Sequence, residues 1–319
     1  MALDLTGLTN YVKENEAQLA TSLVFKPKTA MMIEAAGNVQ VGVKSAEKIN
    51  IMETDAVFQV GGTCGFSSSG TTTFSQRTLT PGKIKVNESI CPKSFEAKYT
   101  QKALRAGSTY DYMPFADEFS SKKIEVIGAA LETALWQGDT TSGTANLNKF
   151  DGLIKLIAPS GTLVSGVVDG NPTNILVATG ITAGNVIGIV DTMYSLIPTS
   201  IIDNGDVFIA CGMDTFRKYT IALKNLNLFN YAAEASDFEI IIAGTNVKFV
   251  GLNGLNGTSK LVASRWSNLY LGVDLLNEEE RFELFYAKEA DEMRFVAEFK
   301  MGVNYAFPTE VVWFGLAEA

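Results

Sequence analysis

The sequence predicts an α+β fold. Three observations lead there. Helical and strand periodicities both run through the chain, without the strict alternation of a doubly wound sheet. One segment near the middle reads as a single long amphipathic helix, and the last third is almost entirely strands. The 319 residues, 46% of them hydrophobic, are enough for one large core or two smaller ones.

At the N-terminus, Leu5, Leu8, Val12, Leu19 and Leu23 fall near helical spacing and predict an amphipathic helix, followed by the break at Lys26-Pro27-Lys28. Strand texture follows. Two extended arms, 39–62 and 80–101, flank a tip over 61–80 rich in glycine, serine and threonine. No charged side chain occurs between Ala56 and Gln76. An arm of about twelve residues reaches roughly 40 Å, beyond the bulk of a compact domain.

The long helix is read in "PFADEFSSKKIEVIGAALETALWQGD", where Ile124, Ile127, Leu131 and Leu135 form one buried stripe. Pro114 sits just before its start, and Gly138 is expected as a left-handed cap. A second helix carries Val186, Ile189, Met193 and Leu196 on one face and stops at Pro198. A buried strand, 206–211, and a helix over 215–225 follow. Seven strands close the chain, over 238–244, 246–252, 260–264, 269–274, 281–287, 293–303 and 310–315. Phe282, Phe285, Phe295, Phe299 and Phe307 are read as core.

Composition excludes several kinds of chemistry. There is no histidine, which removes Ser-His-Asp and Cys-His catalysis and most catalytic zinc sites, though 35 Asp and Glu leave carboxylate-only catalysis open. A net charge of −9 with scattered basic residues disfavours a nucleic-acid reader. Cys64, Cys91 and Cys211 are odd in number and widely spaced, which predicts reduced thiols in a cytoplasmic product. No apolar run is long enough for a membrane span, and the charged start is unlike a secretory signal.

The motifs carry little chemistry. "GDTTSGT" (138–144) has phosphate-loop glycine spacing but lacks the lysine and ends a helix where a phosphate loop begins one. "GLNGLNG" (251–257) lies between strands and reads as turn glycines. "GFSSSG" lacks the second glycine of a nucleophile elbow at Ser67 and has no histidine to activate it. The acidic turns "NEEER" and "KEADEM", the latter with Lys288, Glu289, Asp291 and Glu292, fit no calcium loop. No catalytic, cofactor-binding or metal site is expected.

The order of parts is more telling. At "ALETALWQGDTTSGTANLNKFDGLIKLI" the chain resembles the tailed-bacteriophage major capsid proteins of the Hong Kong 97 type. There a spine helix ends in an acidic-then-aliphatic turn and a Gly-Asp-rich loop, followed by a Gly-Leu/Ile strand. The matching residues here are Glu132, Gly138, Asp139, Gly152 and Leu153. The ending, "MRFVAEFKMGVNYAFPTEVVWFGLA", is similar to that family's closing strands, with Pro308 in the turn. As an order of elements the resemblance spans the chain.

The resemblance implies a Hong Kong 97-type capsid fold. Its parts are an N-terminal arm (1–40), an extended β-hairpin or E-loop (41–100), a peripheral domain with the spine helix (101–159), an axial domain (160–264) and closing peripheral strands (265–319). It further implies a non-enzymatic shell protein, assembled from hexamers and pentamers in the host cytoplasm, that encloses double-stranded DNA in the virion without sequence-specific binding. A separate scaffolding protein, a portal and decoration proteins are the implied partners, with no membrane. Phe66, Ser67, Ser68, Ser69, Thr72 and Phe74 would then be inter-subunit contacts, polar enough to stay soluble and uncharged enough to be covered. No lysine–asparagine cross-link is expected. Lys83 and Lys85 would supply the lysine, but "MRFVAEFKM" has no asparagine. Two alternatives stay open: an encapsulin-like nanocompartment shell, and a carboxylate-dependent enzyme such as a glycoside hydrolase.

Overall fold

A computed structural model describes residues 16–60, 65–66, 68–91, 113–157, 173–177, 180–226, 238–274, 281–290 and 292–316. Leu5, Leu8, Val12, Cys64, Ser67 and Asp291 lie outside them. Two short helices, α1 (Glu16–Val24) and α2 (Lys28–Ala35), are separated at the predicted break, where Pro27 caps α2 with extended φ and ψ. Leu23 is buried and Leu19 packs beside it.

The long helix α3 spans Met113–Gln137, so Pro114 lies within its first turn. The predicted stripe of Ile124, Ile127, Leu131 and Leu135 is buried. Gly138 does not have the left-handed backbone expected of it. A glycine stands there for space: a Cβ would lie 2.5 Å from the carbonyl oxygens of Ala134 and Phe150. Gly152 donates its N–H to Gly138 O at 2.8 Å and so closes the intervening loop. Leu153 then opens a short helix, α4 (Leu153–Ile157), where a strand was expected. Leu153 and Ile157 bury one helical turn apart, while Lys155, which a strand would place on their face, is only half-buried.

Beneath α3 lies a sheet of five strands. The 14-residue β12 (Glu292–Tyr305) is its centre, paired with β11 (Arg281–Ala287), β10 (Leu269–Val273) and β4 (Gly82–Ile90). β1 (Val39–Val41) joins β10 in parallel. Met301 is partnered by both Gly82 and Val273, so β4 and β10 flank opposite edges of β12 there. Met293, Phe295, Ala297 and Phe299 alternate onto the core shared with α3, while Arg294 is exposed. Phe282 is buried too, whereas Phe285 and Phe307 are only half-buried. Lys123 of α3 pairs with Glu88 of β4 and ties helix to sheet.

The second sheet has six strands in the order β5 (Thr173–Val177), β13 (Val312–Leu316), β9 (Leu261–Arg265), β6 (Val207–Gly212), β8 (Lys248–Leu252), β7 (Glu239–Ile241). Every residue of β6 is buried. Val207, Ile209 and Cys211 face a cluster formed with α5 (Val186–Leu196) and α6 (Met213–Asn225), while Phe208 and Ala210 face the core around α3. On α5, Val190 is buried beside Val186, Ile189 and Met193, whereas Leu196, read as part of that stripe, is 38% exposed. The sequence division groups β13 with the peripheral closing strands. Its hydrogen bonds instead run to β5 and β9 in this second sheet. The continuous apolar run "VVWFG" suits a strand covered on both faces.

After β5 the chain crosses between the sheets at two short turns, Trp266–Asn268 and Pro308–Glu310. Fully buried Asn268 stitches these crossings together. Its amide donates to Phe307 O at 2.9 Å, and its Oδ1 accepts from the N–H groups of Ala306 and Phe307 at 3.1 and 2.7 Å. Arg265 binds both carboxylate oxygens of Glu310 at 2.6 and 2.9 Å across the same junction.

Candidate functional site

Among the described residues, the remaining strands, β2 (Glu47–Thr54) and β3 (Thr72–Leu79), pair only with each other. Together they form the hairpin expected from the sequence, with a shifted second arm. That arm lies within the stretch read as tip, and 82–90, read as arm, is β4 inside the five-stranded sheet. The arm was hidden because its polar β-branched residues, such as Thr72, Thr73 and Thr78, favour strand without any apolar alternation. Lys85 accordingly sits on the sheet, bridged to Glu298 at 2.5 Å.

One face of the hairpin is a ladder of matched pairs. Lys48 Nζ donates to Thr78 Oγ1 at 2.6 Å, and Gln76 Nε2 donates to Asn50 Oδ1 at 2.9 Å. Met52 stands opposite Phe74, and the Thr54 and Thr72 hydroxyls meet at 3.0 Å. Each such pair contributes about 0.2–1 kcal/mol and fixes the register. Beyond the strands, Asp55 accepts the Thr71 N–H, while Ser69 accepts from Gln59 and donates to Val57 O. Gly70, at φ 100, passes so close to Asp55 that a Cβ would touch it.

The base is anchored and the far half is not. Ile49, Ile51 and Leu79 bury against Ala306, beside Tyr270 and Phe307. Asn304 donates to Thr78 O at 2.7 Å, and buried Lys300 donates to Lys44 O at 3.2 Å. From Met52 outward every described residue through Gln76 is exposed. Phe66, Ser68 and Ser69 lie in the loop; Thr72 and Phe74 lie on β3. Phe58 is 98% exposed, Phe66 96% and Phe74 77%, with Met52, Val57 and Val60 also bare. The sequence reading missed Met52, Val57, Phe58 and Val60, although "VFQV" in an uncharged stretch carries the signal.

The other predicted site residues lie elsewhere. Lys288 and Glu289 are exposed in the turn joining β11 to β12, and Glu292 begins β12 half-buried. Among the described residues no group of three or more His, Cys, Asp or Glu is placed to hold a metal, and no helix is long and apolar enough to cross a membrane.

The loop after α3 is held electrostatically. Lys155 Nζ lies 2.6 Å from Asp139 Oδ1 and 2.8 Å from Asp151 Oδ1. With the Thr141 hydroxyl and N–H, this ammonium lowers the Asp139 pKa to about 2. Thr140 donates its N–H and hydroxyl to Asp151. The carboxylates of Asp139 and Asp151 are thus both engaged within the loop, which makes it a brace.

No family model matches the chain, and no curated protein matches it. Solved structures do. A chain of the satellite phage P4 procapsid, which includes the size determination (Sid) protein, is similar over 100% of this chain and 93% of its own, with 10% identity and a TM-score of 0.56. A chain from the capsid of a native GTA particle is similar over 90% of each, with 9% identity and a TM-score of 0.51. One from the capsid of Myoviridae phage XM1 is similar over 89% of this chain and 91% of its own, with 11% identity and a TM-score of 0.51. At these identities the likeness establishes the fold. The chain has the mixed helix-and-sheet fold of phage capsid proteins.

Proposed function

We propose that this chain is a major capsid protein of the Hong Kong 97 type. It assembles itself, as hexamers and pentamers, into the icosahedral head that encloses the double-stranded DNA of a tailed bacteriophage. The observation that carries this is the projecting hairpin. Its far half exposes six large apolar side chains, is exposed at every described residue from Met52 to Gln76, and carries no charge from Ala56 to Gln76. Left bare, such a ribbon invites aggregation. Laid across a neighbouring subunit as an E-loop, it becomes an interface with no charge to desolvate. The base, clamped by Asn304 and Lys300, sets its direction.

On this reading 101–159 with the closing strands β10–β12 forms the peripheral domain, 160–264 joined by β13 the axial domain, and 1–40 an arm. A separate scaffold, a portal and decoration proteins complete the particle. The acidic balance suits a shell around DNA that must not grip phosphate. Electron microscopy of the purified chain tests the proposal. Closed shells with six- and five-fold capsomers are expected; a monodisperse monomer at high concentration would overturn it.

A further inference from the structure

The two arms of the hairpin are anchored to the five-stranded sheet by different means. The exit arm is seated by close approach. A Cβ on Gly272 would lie 2.5 Å from Leu79 Cδ2, and one on Gly302 would lie 2.7 Å from Thr80 O. Both glycines make room for the chain as it leaves β3, and Asn304 holds Thr78 O beside them. On the entry arm, Gly42 and Val43 donate to Val273 O, but Lys44, Ser45 and Ala46 are exposed. There Lys44 O accepts from the ammonium of Lys300 at 3.2 Å. That ammonium belongs to a side chain only 5% exposed, and its counter-ion, 3.4 Å away, is Asp274, 1% exposed. Asp274 stands opposite Lys300, one step beyond the Val273–Met301 pair, and donates its N–H to Lys300 O.

This ion pair is poorly suited to stabilise the fold. Its 3.4 Å separation exceeds the roughly 2.7–2.9 Å of a strong charge-assisted hydrogen bond. Neither carboxylate oxygen of Asp274 has a hydrogen-bond partner among the described residues. Taking two charges out of water is offset only by close geometry and a full set of hydrogen bonds, so apolar residues of similar volume would serve stability as well or better. What they could not do is donate to a carbonyl.

We propose that the buried Lys300–Asp274 pair is an orienting device, which fixes the angle at which the hairpin leaves the sheet and adds nothing to the stability of the fold. The exit arm, seated on Gly272 and Gly302, is the pivot. Lys300, held in place by Asp274, fixes Lys44 O on the other arm, and two fixed points define one direction. The eight residues of β2 extend about 26 Å, so a small tilt at the root becomes a large displacement at the loop. On the shell reading above, a hairpin that must meet a neighbour has to leave its own subunit at one angle. The device itself belongs to the single chain.

The test uses the full chain, dilute and unassembled, with Cys64→Ser and Cys91→Ser, leaving only buried Cys211. Spin labels at Ser75→Cys on β3 and Ser121→Cys on α3, both exposed positions, report the hairpin's distance from the body by pulsed electron paramagnetic resonance. The parent should give one narrow distribution. Lys300→Met with Asp274→Leu is expected to broaden it at least twofold while Tm stays within about 3 °C of the parent. Asp274→Leu alone strands the buried ammonium and should lower Tm by about 5–10 °C; an unchanged Tm would overturn the pairing. A double variant with the narrow distribution intact would show that the angle is set elsewhere, and the inference falls. It falls equally if the double variant fails to fold or melts as low as the single one, because the pair is then a stabiliser. Absence of shells would strike the shell reading alone, since these measurements need no assembly.

Discussion

Glu132 of α3 accepts both donors of Thr29 across 103 residues of sequence: Oε2 takes the backbone N–H at 3.0 Å and Oε1 the hydroxyl at 2.6 Å. Trp136 Nε1 completes the site by donating to Thr29 Oγ1 at 2.7 Å. The carboxylate thus caps the first turn of α2, where the helix dipole favours an anion. Burial opposes this, and it wins: it pushes the Glu132 pKa up, with Thr29 and Lys28 offsetting only part of the rise. The contact is a joint between the N-terminal helices and α3.

Replacing Glu132 separates these effects. Glu132→Ala strands two buried donors and is expected to lose about 2–4 kcal/mol in urea unfolding. Glu132→Gln keeps an acceptor and stays within about 1 kcal/mol of the parent. The sign of the pH effect follows from the raised folded pKa. This group's contribution is full below the unfolded value near 4.5 and is lost as pH rises through the folded one. Glu132→Gln should flatten that part of the stability profile. An unchanged slope would mean that Glu132 titrates normally.

The Lys155 brace predicts the opposite sense. Asp139, held to about 2 first by Lys155 and then by Thr141, adds stability above its ordinary value of 3.8 and loses it as pH falls through about 2. In a carbon-detected titration of its carboxyl group, Lys155→Met should move the Asp139 midpoint upward toward 3.8. A midpoint that stays near 2 would assign the shift to Thr141 alone.

Gly254 is where the turn after β8 rests on α3. A Cβ there would lie 2.4 Å from both Glu132 O and Trp136 Cδ1, and Gln137 donates to Gly254 O at 2.6 Å. Gly254→Ala is therefore expected to cost about 1–3 kcal/mol by overpacking. Gly188, inside α5 with open space where its Cβ would be, is the contrast. Gly188→Ala should gain about 0.5–1 kcal/mol in the same denaturation assay.

Charge at the hairpin loop should harm assembly and spare folding. Ser68 is exposed, so Ser68→Asp changes subunit stability by no more than about 0.5 kcal/mol. Covered by a neighbour, the same carboxylate costs a few kcal/mol per subunit, roughly, at every copy of the joint. Parallel thermal melts and sedimentation would separate the two effects. Shells of normal yield would show that the loop stays in water.

What the sequence determined by itself was whatever periodicity and punctuation control. The stripe Ile124, Ile127, Leu131, Leu135 specified α3, Pro27 and Pro198 marked helix limits, and the run at 206–211 read as a buried strand, matching β6, every residue of which is covered. The uncharged stretch also announced a projecting hairpin. Tertiary structure alone decided the rest. Thr72–Leu79 became an arm because Glu47–Thr54 offered matched partners, which no local pattern reveals. Gly138 and Gly254 are glycines because distant backbone crosses them, at Phe150 and at Glu132. β13 entered the second sheet because β5 and β9 left an edge that its two apolar faces could fill. Local sequence encodes the propensity of each element; pairing, close approach and shared burial depend on residues far apart in the chain, and only the folded chain brings them together.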